Sequence, residues 1–185
     1  MSEVSNVTAA KPATGGAVYV ADVGATLPTD VSTALGTDFT CLGYISEDGL
    51  TGGDALSTDV IKAWGGDEVL VINSGKETTY SFTLIEALNV DVLKYVYGDD
   101  NVSGTLSTGI VINVNSDDLP DKAMVIDMVM RDGTLKRICM PRTSITEVGE
   151  VTYSDSGAVG YQITVRALPD SSDTKKYEYI QSATE

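Results

Sequence analysis

The sequence predicts a mainly β protein, an antiparallel β sandwich or barrel with one flanking α-helix, on three observations. First, Val159, Tyr161, Ile163, Val165 and Ala167 alternate with Gly160, Gln162, Thr164 and Arg166, the period of a strand with one buried and one wetted face. Second, turn signals separate the apolar runs, at Gly65-Gly66, Asn73-Ser74-Gly75, Asp132-Gly133 and Asp155-Ser156-Gly157. Third, a single window, residues 89–97, carries helical spacing through Val90, Leu93, Val96 and Tyr97.

Along the chain, residues 1–16 are small and polar, and Pro12, Gly15 and Gly16 suit a flexible amino-terminal arm. Residues 17–185 then read as one β domain whose last few residues form a flexible tail. A first strand is expected at Ala17 to Asp22, a loop at Gly24 to Asp38 and a second strand at Thr40 to Ser46. Glu47, Asp48, Gly49, Leu50, Thr51, Gly52, Gly53 and Asp54 combine three glycines with three acids, which predicts an exposed, mobile loop. A meander should follow, with strands at Ser57 to Trp64, Glu68 to Ile72 and Glu77 to Ile85. In the last of these, Tyr80, Phe82 and Leu84 alternate with Thr79, Ser81 and Thr83, so one face is core.

The helix at 89–97 has Asn89 as a cap, Asp91 in its first turn and Gly98 as a stop. Being short, it depends on packing its apolar stripe against the sheet. Strands are then expected at Thr105 to Asn115, Ala123 to Arg131, Thr134 to Pro141, Ile145 to Tyr153, Val159 to Leu168 and Lys176 to Gln181. The length of 185 residues supports one well-filled core and falls short of two full domains.

Twelve basic against 27 acidic residues leave a formal charge of −15, a surface ill-suited to neutralising phosphates. Asp22, Asp30, Asp38, Glu47, Asp48, Asp54 and Asp59 lie between Lys11 and Lys62 without an intervening cation. Cys41 and Cys139 show no CxxC spacing and the chain has no histidine, so no zinc or nucleophile site is expected and two reduced thiols are the default. The amino terminus lacks a signal-like apolar run and no segment approaches a membrane span, which predicts a protein made in a cytoplasm and not bound to membrane.

No phosphate-binding glycine motif is present, so no cofactor is expected. Asp99, Asn101 and Ser103 have the spacing of a calcium loop, but Ile110 stands where the bidentate glutamate belongs, and a structural turn is the better reading. Acidic pairs such as Asp117-Asp118 occur in any acidic protein and lack the framing of a glycosidase. Trp64, at a strand end, reads as a buried anchor, and Tyr177 and Tyr179 as cover for a sheet edge. No enzyme activity is expected.

A resemblance covers about residues 15–170. It is carried by Leu42-Gly43-Tyr44-Ile45-Ser46-Glu47-Asp48-Gly49-Leu50-Thr51, Ile61-Lys62-Ala63-Trp64-Gly65-Gly66-Asp67, Thr79-Tyr80-Ser81-Phe82-Thr83-Leu84-Ile85-Glu86 and Tyr97-Gly98-Asp99-Asp100-Asn101-Val102. These ordered segments resemble the major tail proteins, or tail tube proteins, of siphophages that infect Gram-positive bacteria. The resemblance implies a β fold of the tail tube type, six-membered rings stacked into a hollow tube, and a place in the virion after assembly in the host cytoplasm. It implies as partners further copies of the chain, the tape measure protein and the tail terminator and distal tail proteins. Phage DNA would pass in transit without specific binding. Some relatives carry an added immunoglobulin-like domain, which is not expected within these residues.

Within that reading the segment 47–54 supplies the candidate contacts between subunits or rings, and the excess carboxylate would repel DNA from the lumen wall. The alternative from the residues alone is an acidic all-β module that binds carbohydrate or another surface through exposed aromatics.

Overall fold

The computed structural model describes residues 2–13 and 16–182. Of the expected arm, Met1, Thr14 and Gly15 lie outside the described residues, as do residues 183–185 of the expected tail. The strands are β1 (Ala10–Pro12), β2 (Val18–Asp22), β3 (Thr40–Cys41), β4 (Ile45–Lys62), β5 (Glu68–Leu84), β6 (Val102–Thr105), β7 (Gly109–Ile112), β8 (Lys122–Met130), β9 (Leu135–Val148), β10 (Tyr161–Leu168) and β11 (Tyr177–Gln181). Among the described residues one α-helix, α1 (Val90–Tyr97), lies between β5 and β6.

All pairings are antiparallel, and the main sheet runs β3-β2-β8-β9-β10-β5-β4, with β1 added to β8 and β11 to β9. β6 and β7 form a separate small hairpin. The mainly β class with one helix therefore matches the sequence expectation.

Alternation decides which side chains meet. On one face Met124 opposes Met140 and Ile126 opposes Ile138, and these join Phe82, Leu84, Ile163 and Val165 in the core. Val92, Leu93 and Val96 of α1 close that core from above the sheet. The helix forms where expected because Asn89 Oδ1 accepts from the Asp91 N–H at 3.0 Å, while Gly98 takes φ 98° at its end.

The opposite face is also covered at its centre, by the connection between β2 and β3. Arg137 is 6% exposed and pairs bidentately with Asp127, directly across β8 and β9. Its remaining guanidinium nitrogen donates to the carbonyls of Asp30 and Thr33 at 3.0 and 2.7 Å. One buried cation thus holds a long polar connection onto the sheet, its charge met by a carboxylate and its donors by backbone.

Several local expectations are corrected. Glu47–Asp54 is not a loop: it belongs to β4, where Leu50 to Asp54 pair with Phe82 to Thr78. Glycine here serves close approach, since a Cβ on Gly52 would lie 2.3 Å from Cε1 of Tyr80. Asn73-Ser74-Gly75 is no turn but a bulge within β5, as Ser57 faces Gly75 and Thr58 faces Asn73, leaving Ser74 extra. The expected three-stranded meander is consequently one long hairpin closed at Gly65-Gly66.

The segment Thr105–Asn115 divides into β6, a turn and β7, while the two strands expected across Thr134–Tyr153 fuse into β9. Asp155-Ser156-Gly157 lies in an irregular connection rather than a tight hairpin. Residues 99–101 form a single 3-10 turn after the helix, as the turn reading of the calcium-like spacing expected.

Candidate functional site

The feature that stands apart from this body is the outer part of the β4–β5 hairpin. From Leu84 to Thr78, β5 is flanked by both β10 and β4; beyond Thr78 only β4 remains beside it. Residues 68–76 therefore leave the sheet as one half of a two-stranded ribbon. The ribbon extends about 30 Å past the last β10 partner, from roughly 3.3 Å per residue.

Its turn is built by sequence. The Gly66 N–H donates to the Ala63 carbonyl at 2.9 Å, and Gly65 and Gly66 adopt φ 124° and 99°, conformations that side chains disfavour. Trp64 sits at the first central position of this turn, fully exposed at 107%. The expectation of a buried Trp64 is thus overturned: the turn places the indole beyond the last cross-strand pair, where the body has nothing to cover it.

The ribbon is apolar on both faces. Val60 opposes Val71 and Ile61 opposes Leu70, and Val69 and Ile72 lie beside them; all are at least 40% exposed. Two-stranded ribbons without a third strand or a packed face are marginal in water, and a contiguous exposed apolar surface of this kind marks an interaction site. The outer edge of β4 is the last in the sheet, so its backbone groups are also open to another strand.

An ion network fixes the base of the ribbon. Lys176 Nζ lies 2.8 Å from Asp54 Oδ2, 2.9 Å from Glu178 Oε1 and 3.3 Å from the Tyr80 hydroxyl. Thr78 donates to Asp54 at 2.6 Å, and Lys136 meets Glu178 at 2.8 Å. Burial alone would lower the Lys176 pKa, but the hydrogen bonds to Asp54, Glu178 and Tyr80 outweigh it and raise the ammonium above its ordinary value. Hydrogen bonds from Lys176 and Thr78 hold Asp54 below the usual carboxylate range, and those from Lys136 and Lys176 do the same for Glu178.

The candidate contact residues are split along this hairpin. Glu47, Asp48 and Gly49 occupy the irregular start of β4, where the register breaks between Ile45 and Leu50 and Gly49 takes φ 74°. Leu50 is half-buried, Thr51, Gly52 and Gly53 continue the paired strand, and Asp54 is the carboxylate of the ion network. The structure does not gather these eight residues into one patch.

Sequence reasoning passed over the apolar ribbon itself. Its signal was the unbroken run Val69-Leu70-Val71-Ile72, which lacks the polar alternation of a strand with one wet face. Among the described residues no group of three metal-ligating side chains comes together, and no helix is long and apolar enough to cross a membrane.

Comparison with known proteins adds the following. A family model described as phage tail tube protein matches residues 4–185. No curated protein matches significantly. Among solved structures, the chain is similar to one in the cryo-EM structure of the anti-feeding prophage cap, a tube-terminating cap, at 10% identity and a TM-score of 0.45, covering 99% of this chain and 100% of that one.

Proposed function

The chain belongs to the phage tail tube protein family and is a structural protein of the phage tail, and from that premise we propose that it polymerises into stacked six-membered rings enclosing a channel for DNA. The observation that supports this reading is the projecting ribbon. A monomeric protein gains nothing from some 15 residues of strand that bury little, whereas a subunit that inserts them among its neighbours recovers the missing burial.

Neighbours would cover both apolar faces and pair the open edge of β4, extending the sheet from subunit to subunit. The segment 47–54 takes part at the start and base of the same strand. Because ribbon and body are different surfaces, the contact is heterologous, and along the axis it repeats without closing.

The charge of −15 serves passage rather than binding. A wall of uncompensated carboxylates repels phosphate, so DNA moves without the salt-dependent adhesion that a basic lining would create. Tape measure, terminator and distal tail proteins are the expected companions in the virion, with assembly in the host cytoplasm.

Electron microscopy of the purified protein over a concentration series tests the reading. Rings or hollow tubes are expected; a strictly monomeric protein at millimolar concentration and in the presence of other tail proteins would refute it.

A further inference from the structure

Two peptide bonds in the chain join aspartate to glycine, Asp48-Gly49 and Asp132-Gly133, and the fold treats them in opposite ways. An aspartyl carboxyl lies within reach of the backbone nitrogen of the residue that follows it, and with glycine there no Cβ obstructs closure of a five-membered ring. Reaction then depends on whether carboxyl, nitrogen and the backbone between them are free to meet.

At Asp132-Gly133 they are not. Asp132 Oδ1 accepts from the Thr134 N–H at 3.1 Å and Oδ2 from the Thr134 hydroxyl at 2.9 Å. The Gly133 N–H donates to the Met130 carbonyl at 2.9 Å and the Met130 N–H to the Thr134 carbonyl at 2.8 Å, which closes the β8–β9 turn. The Thr134 hydroxyl and N–H also hold the Asp132 carboxyl below the usual carboxylate range. It stays ionised, and a carboxylate loses oxygen less readily than the neutral acid does.

At Asp48-Gly49 all three constraints are missing. Among the described residues the Asp48 carboxylate has the Ser46 hydroxyl at 3.4 Å and no cation. Ile45 faces Leu84 and Leu50 faces Phe82, so residues 46–49 bulge opposite Thr83 alone and no cross-strand register fixes Gly49. Both residues are exposed, Gly49 takes φ 74°, and a Cβ on it would meet nothing within 4 Å. Asp48 also lines an open hollow of about 520 Å³, which admits water to the reacting atoms.

We propose that Asp48-Gly49 is a site of spontaneous modification, at which the aspartyl residue closes to a succinimide and reopens as isoaspartate, while the turn at Asp132-Gly133 holds that peptide unreactive. The Gly49 nitrogen bonds to Cγ of Asp48 and gives up its proton as a Cγ–O bond breaks, so one water leaves and a cyclic imide remains. A second water then adds to either imide carbonyl. Breaking the bond from nitrogen to Cγ restores aspartate. Breaking the bond from nitrogen to the former backbone carbonyl leaves the main chain running through Cβ and Cγ, with that carbonyl now a free carboxylate. Water is the one co-reactant, and the chain returns to its original mass and charge. The added methylene falls in the bulge, ahead of the ladder that starts at Leu50. The reaction belongs to the free chain and is independent of the tube reading.

The full-length protein, kept dilute in mildly acidic buffer made with water enriched in oxygen-18, is sampled over weeks. Proteolytic peptides spanning each Asp-Gly pair are separated chromatographically and read by mass spectrometry with electron-transfer fragmentation. The Asp48 peptide is expected to take up heavy oxygen and divide into aspartyl and isoaspartyl forms, at a rate on the order of tenfold above the Asp132 peptide. Asp48→Glu, which would have to close a six-membered ring, should lose the uptake at this position. In urea, where Thr134 no longer holds Asp132, the two sites should react at comparable rates. Equal rates in the folded protein, or no heavy oxygen at Asp48, would overturn the proposal. So would a tenfold gap that persists in urea, since the contrast would then belong to the neighbouring residues rather than to the fold.

Discussion

The two halves of β5 differ more than any other pair of neighbouring segments. From Thr78 to Leu84 the strand reads polar, polar, apolar, polar, apolar, polar, apolar, and Thr78, Tyr80, Phe82 and Leu84 are buried while the residues between them are half-exposed. From Val69 to Ile72 it is apolar at every position and exposed at every position. The backbone, the β4 partner and the antiparallel register are shared. What changes is the company: the inner half has β10 and a core, and the outer half has neither. A run without alternation suits a strand buried on both faces. The outer half is therefore written for surroundings that the single chain does not provide, whereas the inner half is written for the chain itself.

The sharpest way to break this comparison is to mutate both halves. Phe82→Ala empties a core position and should cost about 3–5 kcal/mol of monomer stability in urea or thermal unfolding. Leu70→Asp should leave monomer stability within experimental error and abolish assembly, seen by light scattering. If Leu70→Asp unfolds the monomer, the outer half is not an assembly element.

A smaller effect is expected where the halves join. Gly52→Val would drive a side chain into the ring of Tyr80, which is 4% exposed and capped by Lys176, with its ammonium 5.6 Å from the ring centroid. A loss of about 1–3 kcal/mol in unfolding experiments is expected from overpacking.

The ion network gives a pH signature of about 1 kcal/mol. Asp54 and Glu178 have depressed values in the folded chain, so their contribution is present above about pH 4 and disappears as pH falls through those lowered values. Lys176 is raised, so its share is intact below about pH 10 and is lost only above it. Lys176→Met should flatten the acid limb of a stability-versus-pH curve without moving its plateau by more than this amount. Least of all should change in Lys62→Gln, since the Lys62–Glu68 pair is 3.6 Å apart and more than half exposed on both sides; its melting curve should superimpose on that of wild type.

Much of the inner half was legible in the sequence. The alternation in Tyr161–Leu168, the Asn89 cap with its Gly98 stop and the Asp132-Gly133 turn each encode a local preference that packing agrees with. The hairpin was legible only in part. Glycine and acid in residues 47–54 signal a loop by local rules, and the need for glycine at position 52 arises from Tyr80, 28 residues later. Asn73-Ser74-Gly75 has turn chemistry, yet β4 runs past it on the other strand and reduces it to a bulge. Trp64 misled for a related reason: aromatic residues are usually buried, and here a glycine turn carries the indole past the last cross-strand pair, away from any core.

The reach of the ribbon is also a ruler. Whatever surface receives its tip, the distance between that surface and the body of the donor is set by the number of cross-strand pairs. Because side chains alternate with period two, adding one residue to each strand would turn every outer side chain to the wrong face. Adding two preserves the faces and lengthens the reach by about 6.6 Å. The reach from body to tip is therefore quantised, and insertions or deletions tolerated in the ribbon should come in matched pairs on both strands.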